Sequence, residues 1–280
     1  MSKIPTRTLP SGDEMPLLGY GTAGITEETA PDAIATALDA GIRHIDAAEA
    51  YQNEAVIGDE LATWDRDELF ITSKVLPKHL HYNSVIQACE ASLERLGTEY
   101  LDLYLIHWPN PAVSLRESLD AMKTLIEDGL VRNVGVSNFT QYQLSCAEHI
   151  SDIPIAVNQF EIHPWHQRPD RVAYCNEVDV AVEAATPLGQ TEIFADPTLQ
   201  ELAATYDKSI AQIALKWAIE KGITVIPKST NPVHIRENAA LFSWDMDTAD
   251  LEAIDELDRE YPLYSPAAKN WEADIYGIPR

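Results

Sequence analysis

Asp46, Lys74 and His107 each stand behind or at the close of a short apolar run, and Tyr51 follows Asp46 in the same loop. Ser137-Asn138, Gln159, Thr186 and Lys228-Ser229 hold the same kind of place in later runs. Each alone has an ordinary reading. Asp46 would cap a helix starting near Asn53, and His107, ahead of Trp108-Pro109, would pack as a core histidine. Lys74 is harder to dismiss, because a lysine ending a buried run needs a carboxylate, and Asp46 is the evident partner. Together they form a carboxylate–ammonium pair, a phenol and an imidazole, the side-chain types that carry acid–base chemistry.

These groups meet only if the runs that carry them are parallel neighbours. Eight candidate strands are Leu17–Tyr20, His44–Asp46, Leu69–Ser73, Leu101–His107, Val131–Val136, Ala156–Gln159, Val180–Ala184 and Thr224–Ile226. Helical spacing separates them, as in Ile34/Leu38, Val85/Cys89/Leu93 and Leu115/Leu119. Gly41, Gly97, Gly129 and Gly222 fall between a helix and the next strand, where a left-handed cap is wanted. Ile4–Leu9 and Glu14–Leu17, flanking Pro10-Ser11-Gly12-Asp13, read as a hairpin. Eight strand–helix units of roughly thirty residues predict an α/β fold, a closed (β/α)8 barrel, in which chemistry collects at the strand ends. The predicted organisation is one barrel domain over residues 1–280, with the hairpin in 1–16 and a tail in 261–280. An open dinucleotide-binding sheet would start its helix on Gly24 of Gly19-Tyr20-Gly21-Thr22-Ala23-Gly24; the helical pattern starts later, so the letters read as a loop.

Asp plus Glu number 45 against 20 Lys plus Arg, a net charge of −25. Such a surface repels nucleic acid and anionic lipid, and suits concentrated salt, where screening removes self-repulsion. No run of about 18 apolar residues is present to cross a membrane. The first residues lack the apolar stretch of a secretory signal, so the cytoplasm is the expected location. Cys89, Cys146 and Cys175 are too sparse for a disulfide framework. No metal is expected: His79-Leu80-His81 and His163-Pro164-Trp165-His166 lack a third ligand at recognisable spacing.

Several ordered blocks resemble the aldo-keto reductases. Gly41-Ile42-Arg43-His44-Ile45-Asp46-Ala47-Ala48-Glu49-Ala50-Tyr51-Gln52-Asn53-Glu54 is similar to their first signature, and Leu101–Pro109 to the second. Gly135-Val136-Ser137-Asn138-Phe139, Asn158-Gln159, and Ile226-Pro227-Lys228-Ser229 with Glu237-Asn238 follow in the family's order. The resemblance implies a nicotinamide-dependent reductase of aldehydes or ketones with a tetrad of Asp46, Tyr51, Lys74 and His107. Tyr51 would donate the proton, made more acidic by Lys74, which Asp46 orients; neutral His107 would direct the substrate oxygen. Ser137, Asn138 and Gln159 would hold the cofactor carboxamide, with Lys228 and Ser229 at the adenosine 2′ region and Glu237 and Asn238 at the adenine. Gly21, Thr22, Asp46, Thr186, Leu188 and His234 complete the implied cofactor set. Tyr20, Ile25, Leu76 and Trp108 would line the substrate pocket, and the tail with Trp271, Tyr276 and Pro279 would close over it or pack outside. The resemblance makes a monomer the expectation, acting on a small-molecule carbonyl compound.

Three positions depart from the family pattern. Asp46-Ala47-Ala48 replaces D-T-A, losing a hydroxyl. Ala185, ahead of Thr186-Pro187-Leu188-Gly189, replaces the aromatic that stacks on the nicotinamide, at a cost of about 1–3 kcal/mol in cofactor affinity. His234 stands where an arginine clamps the NADP 2′-phosphate, and Arg236, about 200° around a helix, points elsewhere. NADPH is the expected cofactor, with NADH also accepted. The second reading, favoured by Ala185, is a cofactor-binding barrel with a regulatory or sensor role and little turnover.

Overall fold

The computed structural model describes residues 3–263, and the tail residues Trp271, Tyr276 and Pro279 lie outside them. Eight parallel strands, β3 to β10, form one sheet in chain order: Gly19–Gly21, His44–Asp46, Phe70–Val75, Leu101–Ile106, Val131–Ser137, Val157–Glu161, Ala181–Ala185 and Thr224–Val225. A parallel bridge between Leu18 and Val225 closes it, with the Val225 amide donating to Leu17 O at 3.0 Å. The expected barrel is therefore the observed one. Gly21 sits on this seam, where a Cβ would meet Ile226 O at 2.7 Å.

Helices α1 to α10 cover Ala30–Asp39, Glu54–Leu61, Tyr82–Leu96, Leu115–Glu127, Gln141–Ile150, Pro169–Glu177, Pro197–Tyr206, Ile210–Glu220, Pro232–Ala239 and Thr248–Asp255. Helix α3 shows how the sequence builds them. Val85, Cys89, Ser92, Leu93 and Leu96 form its buried face, and Gly97, at φ 63°, ends it with a left-handed cap. Thr140 with Gln143 and Ser209 with Gln212 form capping boxes that start α5 and α8. Alternate strand residues such as Ile45, Ile71, Tyr104, Val136, Phe160 and Val182 join the helices in the main core.

The other parity faces the barrel axis. At the bottom, Phe70, Leu103, Leu105, Val157 and Ala181 pack with Leu9 and Met15 of the hairpin formed by β1 (Thr6–Thr8) and β2 (Glu14–Pro16). The hairpin plugs the end of the barrel away from the ionisable residues. Strand β5 runs two residues further than expected and β7 one, because Lys74 and Val75 pair with Leu105 and Ile106, and Ser137 with Gln159. Lys74 and Ser137 are thus held by strand pairing and not by a loop. That rigid setting is what precise chemistry needs.

Candidate active site

The four ionisable residues meet at the C-terminal end of the strands. Lys74 is fully buried and donates to Asp46 Oδ1 at 2.7 Å and to Ala47 O at 2.8 Å. Asp46 Oδ2 accepts from Gln159 Nε2 at 2.9 Å, so both carboxylate oxygens carry donors. Thr22 is buried and donates through its amide and hydroxyl to Asp46 O at 3.0 and 2.9 Å, which fixes the end of β4.

Tyr51 lies between this pair and His107. Lys74 Nζ is 5.1 Å from its ring centroid, and the His107 ring meets it edge-on at 5.7 Å. Burial, followed by the charges of Asp46 and Glu183, holds the Tyr51 hydroxyl well above the ordinary tyrosine value. Burial and then Lys74 push His107 well below the usual histidine range, so it is neutral. Its Nδ1 has no hydrogen-bond partner, and the ring lines the cavity.

That cavity, of about 720 Å³, is walled by Asp46, Tyr51 and His107, by Ser137, Asn138 and Gln159, and by Ala185, Thr186 and Leu188. Gly21, Gln190, Thr191 and Lys228 lie at its edges. Asn138 and Thr186 occupy the left-handed region at φ 62° and 51°. Asparagine adopts this readily; for β-branched threonine it is a true outlier, of the kind that collects at functional sites. Asn138 spends both amide hydrogens, on His107 O and Ser137 Oγ, each at 3.0 Å. Gln159 spends its two on Asp46 and Glu183, each at 2.9 Å. Both side chains keep an oxygen to accept from a ligand, which suits the NH2 of a carboxamide.

The aldo/keto reductase family matches residues 17–259. An oxidoreductase of Bacillus subtilis, YtbE, is 40% identical over 257 residues, covering 89% of this chain and 91% of that protein. The chain belongs to the aldo/keto reductase family. An NADP-dependent D-sorbitol-6-phosphate dehydrogenase of Malus domestica is 34% identical, with 98% of this chain and all of that protein covered. The crystal structure of a Bombyx mori aldo-keto reductase in complex with NADP superposes with a TM-score of 0.90 at 31% identity, over the full length of both chains.

Within this aldo/keto reductase, other sequence-predicted residues stand apart from the cavity wall. Tyr20 is buried and donates to Ser229 O at 2.6 Å, bracing the segment that carries Lys228. Ile25 is packed in the core. Leu76 and Trp108 stand half-buried directly after Lys74-Val75 and His107. His234 is exposed on α9, where Glu237 O accepts from Gln212 and Asn238 is buried with an unpartnered Oδ1. Two residues escaped sequence reading. Glu183 and His44 are fully buried inside the barrel below the tetrad. The signal was present, because a glutamate inside Val180–Ala184 needs a partner as much as Lys74 does.

Proposed function

We infer that the protein reduces aldehydes or ketones to alcohols with NADPH, using Tyr51 as proton donor. The observation that carries this is the buried Lys74–Asp46 pair at 2.7 Å, set beside a protonated phenol and a neutral imidazole on one cavity wall. When bound, the nicotinamide supplies hydride to the carbonyl carbon, and the C=O electron pair moves to oxygen. Tyr51 gives that oxygen its proton, and Lys74 stabilises the phenolate left behind. Neutral His107, on the same cavity wall, hydrogen-bonds that oxygen and sets its angle to the hydride. Asn138 and Gln159, with Ser137, accept from the carboxamide and so orient the ring.

Lys228 and Ser229 serve the 2′ region, Glu237 and Asn238 the adenine, and Gly21, Thr186 and Leu188 frame the cofactor, while buried Thr22, expected to touch it, instead braces Asp46 O from behind. NADP in the name of the apple relative and in the silkworm structure supports this choice. Exposed His234 in place of an arginine weakens discrimination, so NADH is also used. The cavity suits a small aldehyde, a ketoacid ester or a keto-sugar. The test follows NADPH and NADH absorbance during reduction of an aromatic aldehyde by wild type and Tyr51→Phe. Cofactor binding without turnover on a broad carbonyl panel would favour the regulatory barrel instead.

Ala185 lines the cavity, and among the described residues its only aromatic walls are Tyr51 and His107. The nicotinamide therefore lacks a stacking partner. Ala185→Tyr is expected to tighten NADPH binding by about tenfold, the lower part of the aromatic-contact range, read by fluorescence titration. An unchanged Kd would show that the ring lies elsewhere.

A single-domain monomer in the cytoplasm is our reading of the assembly and location. All three cysteines are free, and among the described residues the exposed large apolar side chains are the scattered Tyr142, Val233 and Tyr261. We assign the net charge of −25 to work in concentrated salt. In dilute buffer the polyanionic cofactor approaches a like-charged protein, whereas about 1 M salt shortens screening to roughly 3 Å. Raising KCl from 0.05 M toward 2 M is expected to lower KM for NADPH and raise Tm. Flat dependence of both would remove this assignment.

A further inference from the structure

Two carboxyl groups and one lysine, all buried, meet at the floor of the cavity, where Asp46 lines it and Lys74 and Glu183 lie beneath. Asp46 has a donor on each oxygen, from Lys74 on Oδ1 and from Gln159 on Oδ2. Glu183 is served differently. Its Oε2 accepts from Gln159 Nε2 at 2.9 Å, while Oε1 has no hydrogen bond and lies 3.5 Å from His44 Nε2. A fully buried carboxylate wants donors on both oxygens, and an unpaired buried charge is costly. The groups facing Glu183 offer no further cation. Strand β4 supplies Asp46 and His44, the loop after β4 supplies Tyr51, and β5 supplies Lys74. The paired positions on β8 and β10 are Gln159 and Thr224, which do not titrate. Burial holds His44 down at about 4, so it is neutral and gives no counter-charge.

We propose that Glu183 is a positioning residue of the reductase site, acting as a neutral carboxylic acid with its proton on Oε1. It performs two tasks. Its Oε2 and Asp46 Oδ2 together claim both hydrogens of the Gln159 amide, so the amide cannot turn over and its oxygen is kept for the cofactor carboxamide. Its neutrality leaves Asp46 as the sole counter-charge to Lys74. Burial, then the charge of Asp46, pushes Glu183 up to about 8. Below that pH the acid is neutral. Above it, a second anion sits beneath Tyr51 and opposes the phenolate that forms as the proton leaves. Reduction therefore slows on the alkaline side while Tyr51 itself is still protonated.

The inference rests on Tyr51 as donor and Gln159 as carboxamide acceptor, so its test includes a readout independent of turnover. The first measurement is the single-turnover rate of hydride transfer from NADPH against pH, in wild type and Glu183→Gln. Glutamine preserves the shape and the acceptor toward Gln159 but cannot ionise. Wild type is expected to lose about tenfold between pH 7 and pH 9, the span of a single ionisation near 8. Glu183→Gln is expected to match wild type within about threefold at pH 7 and to stay flat to pH 9. Glu183→Leu, which frees the Gln159 amide, should raise KM for NADPH by about tenfold with a smaller change in kcat. The second measurement is infrared: the wild-type protein at pH 7 should show a protonated-carboxyl C=O stretch that Glu183→Gln removes and that fades above pH 8. An alkaline limb that persists in Glu183→Gln, or the absence of that band at pH 7, overturns the proposal. If wild type shows no turnover, the infrared titration still decides the state of Glu183, and the functional reading fails separately.

Discussion

Tyr51→Phe is expected to lower kcat for carbonyl reduction by about 10³-fold, within the range that a positioned proton donor contributes. The substitution removes one hydroxyl and keeps the ring, so the edge contact with His107 and the approach of Lys74 are preserved. Cofactor affinity, read by fluorescence titration, should stay within about twofold, because no ground-state contact to NADPH is assigned to that oxygen. A loss in kcat with intact binding is the signature of an interaction made only in the transition state. The resting hydroxyl is held far above the ordinary tyrosine value by burial and by two carboxyl groups, so it stays protonated throughout the working pH range. Its acid strength has to come from the oxygen it serves: negative charge develops there as hydride arrives, and Lys74 takes up the phenolate. If Tyr51→Phe retains a tenth or more of wild-type kcat, the donor is another group, and His107 is next in line.

Much of this site was legible because a barrel puts its chemistry at strand ends, which are easy to locate once eight apolar runs have been placed. Asp46, Lys74, His107, Ser137, Asn138 and Gln159 all follow from that rule, and five of the six line the cavity, with Lys74 sealed just beneath. What remained hidden was the parity and depth of residues within strands. Tyr20 reads as a pocket residue because it is aromatic and near a strand end, yet its hydroxyl is spent on Ser229 O. Glu183 reads as part of an apolar run, and only the register that sets it beside Gln159 and Thr224 shows it beneath the tetrad. The left-handed backbone at Asn138 suits its residue type, whereas that at Thr186 has no local signal, since threonine disfavours it. The bare wall at Ala185 was visible as a missing aromatic, but only the cavity shows that no other described loop replaces it.

Lys74→Met is expected to abolish turnover and to destabilise the fold by about 3–5 kcal/mol, the usual result of stranding one member of a buried ion pair. Lys74 and Asp46 are both buried, so water cannot compensate the remaining carboxylate. Asp46 would keep its hydrogen bond from Gln159 but lose the ammonium on Oδ1, and it would take up a proton instead. Adding Asp46→Asn removes the stranded charge, and a buried pair replaced by neutral groups of similar volume is often close to neutral in stability. The double variant should therefore regain most of the lost stability in urea unfolding while staying inactive, because nothing is left to stabilise the Tyr51 phenolate. That divergence separates the two roles of the pair. If the double variant is as unstable as Lys74→Met, the lysine acts mainly by filling space and by its bond to Ala47 O. If either variant keeps substantial kcat, the ammonium is not what allows the phenol to release its proton.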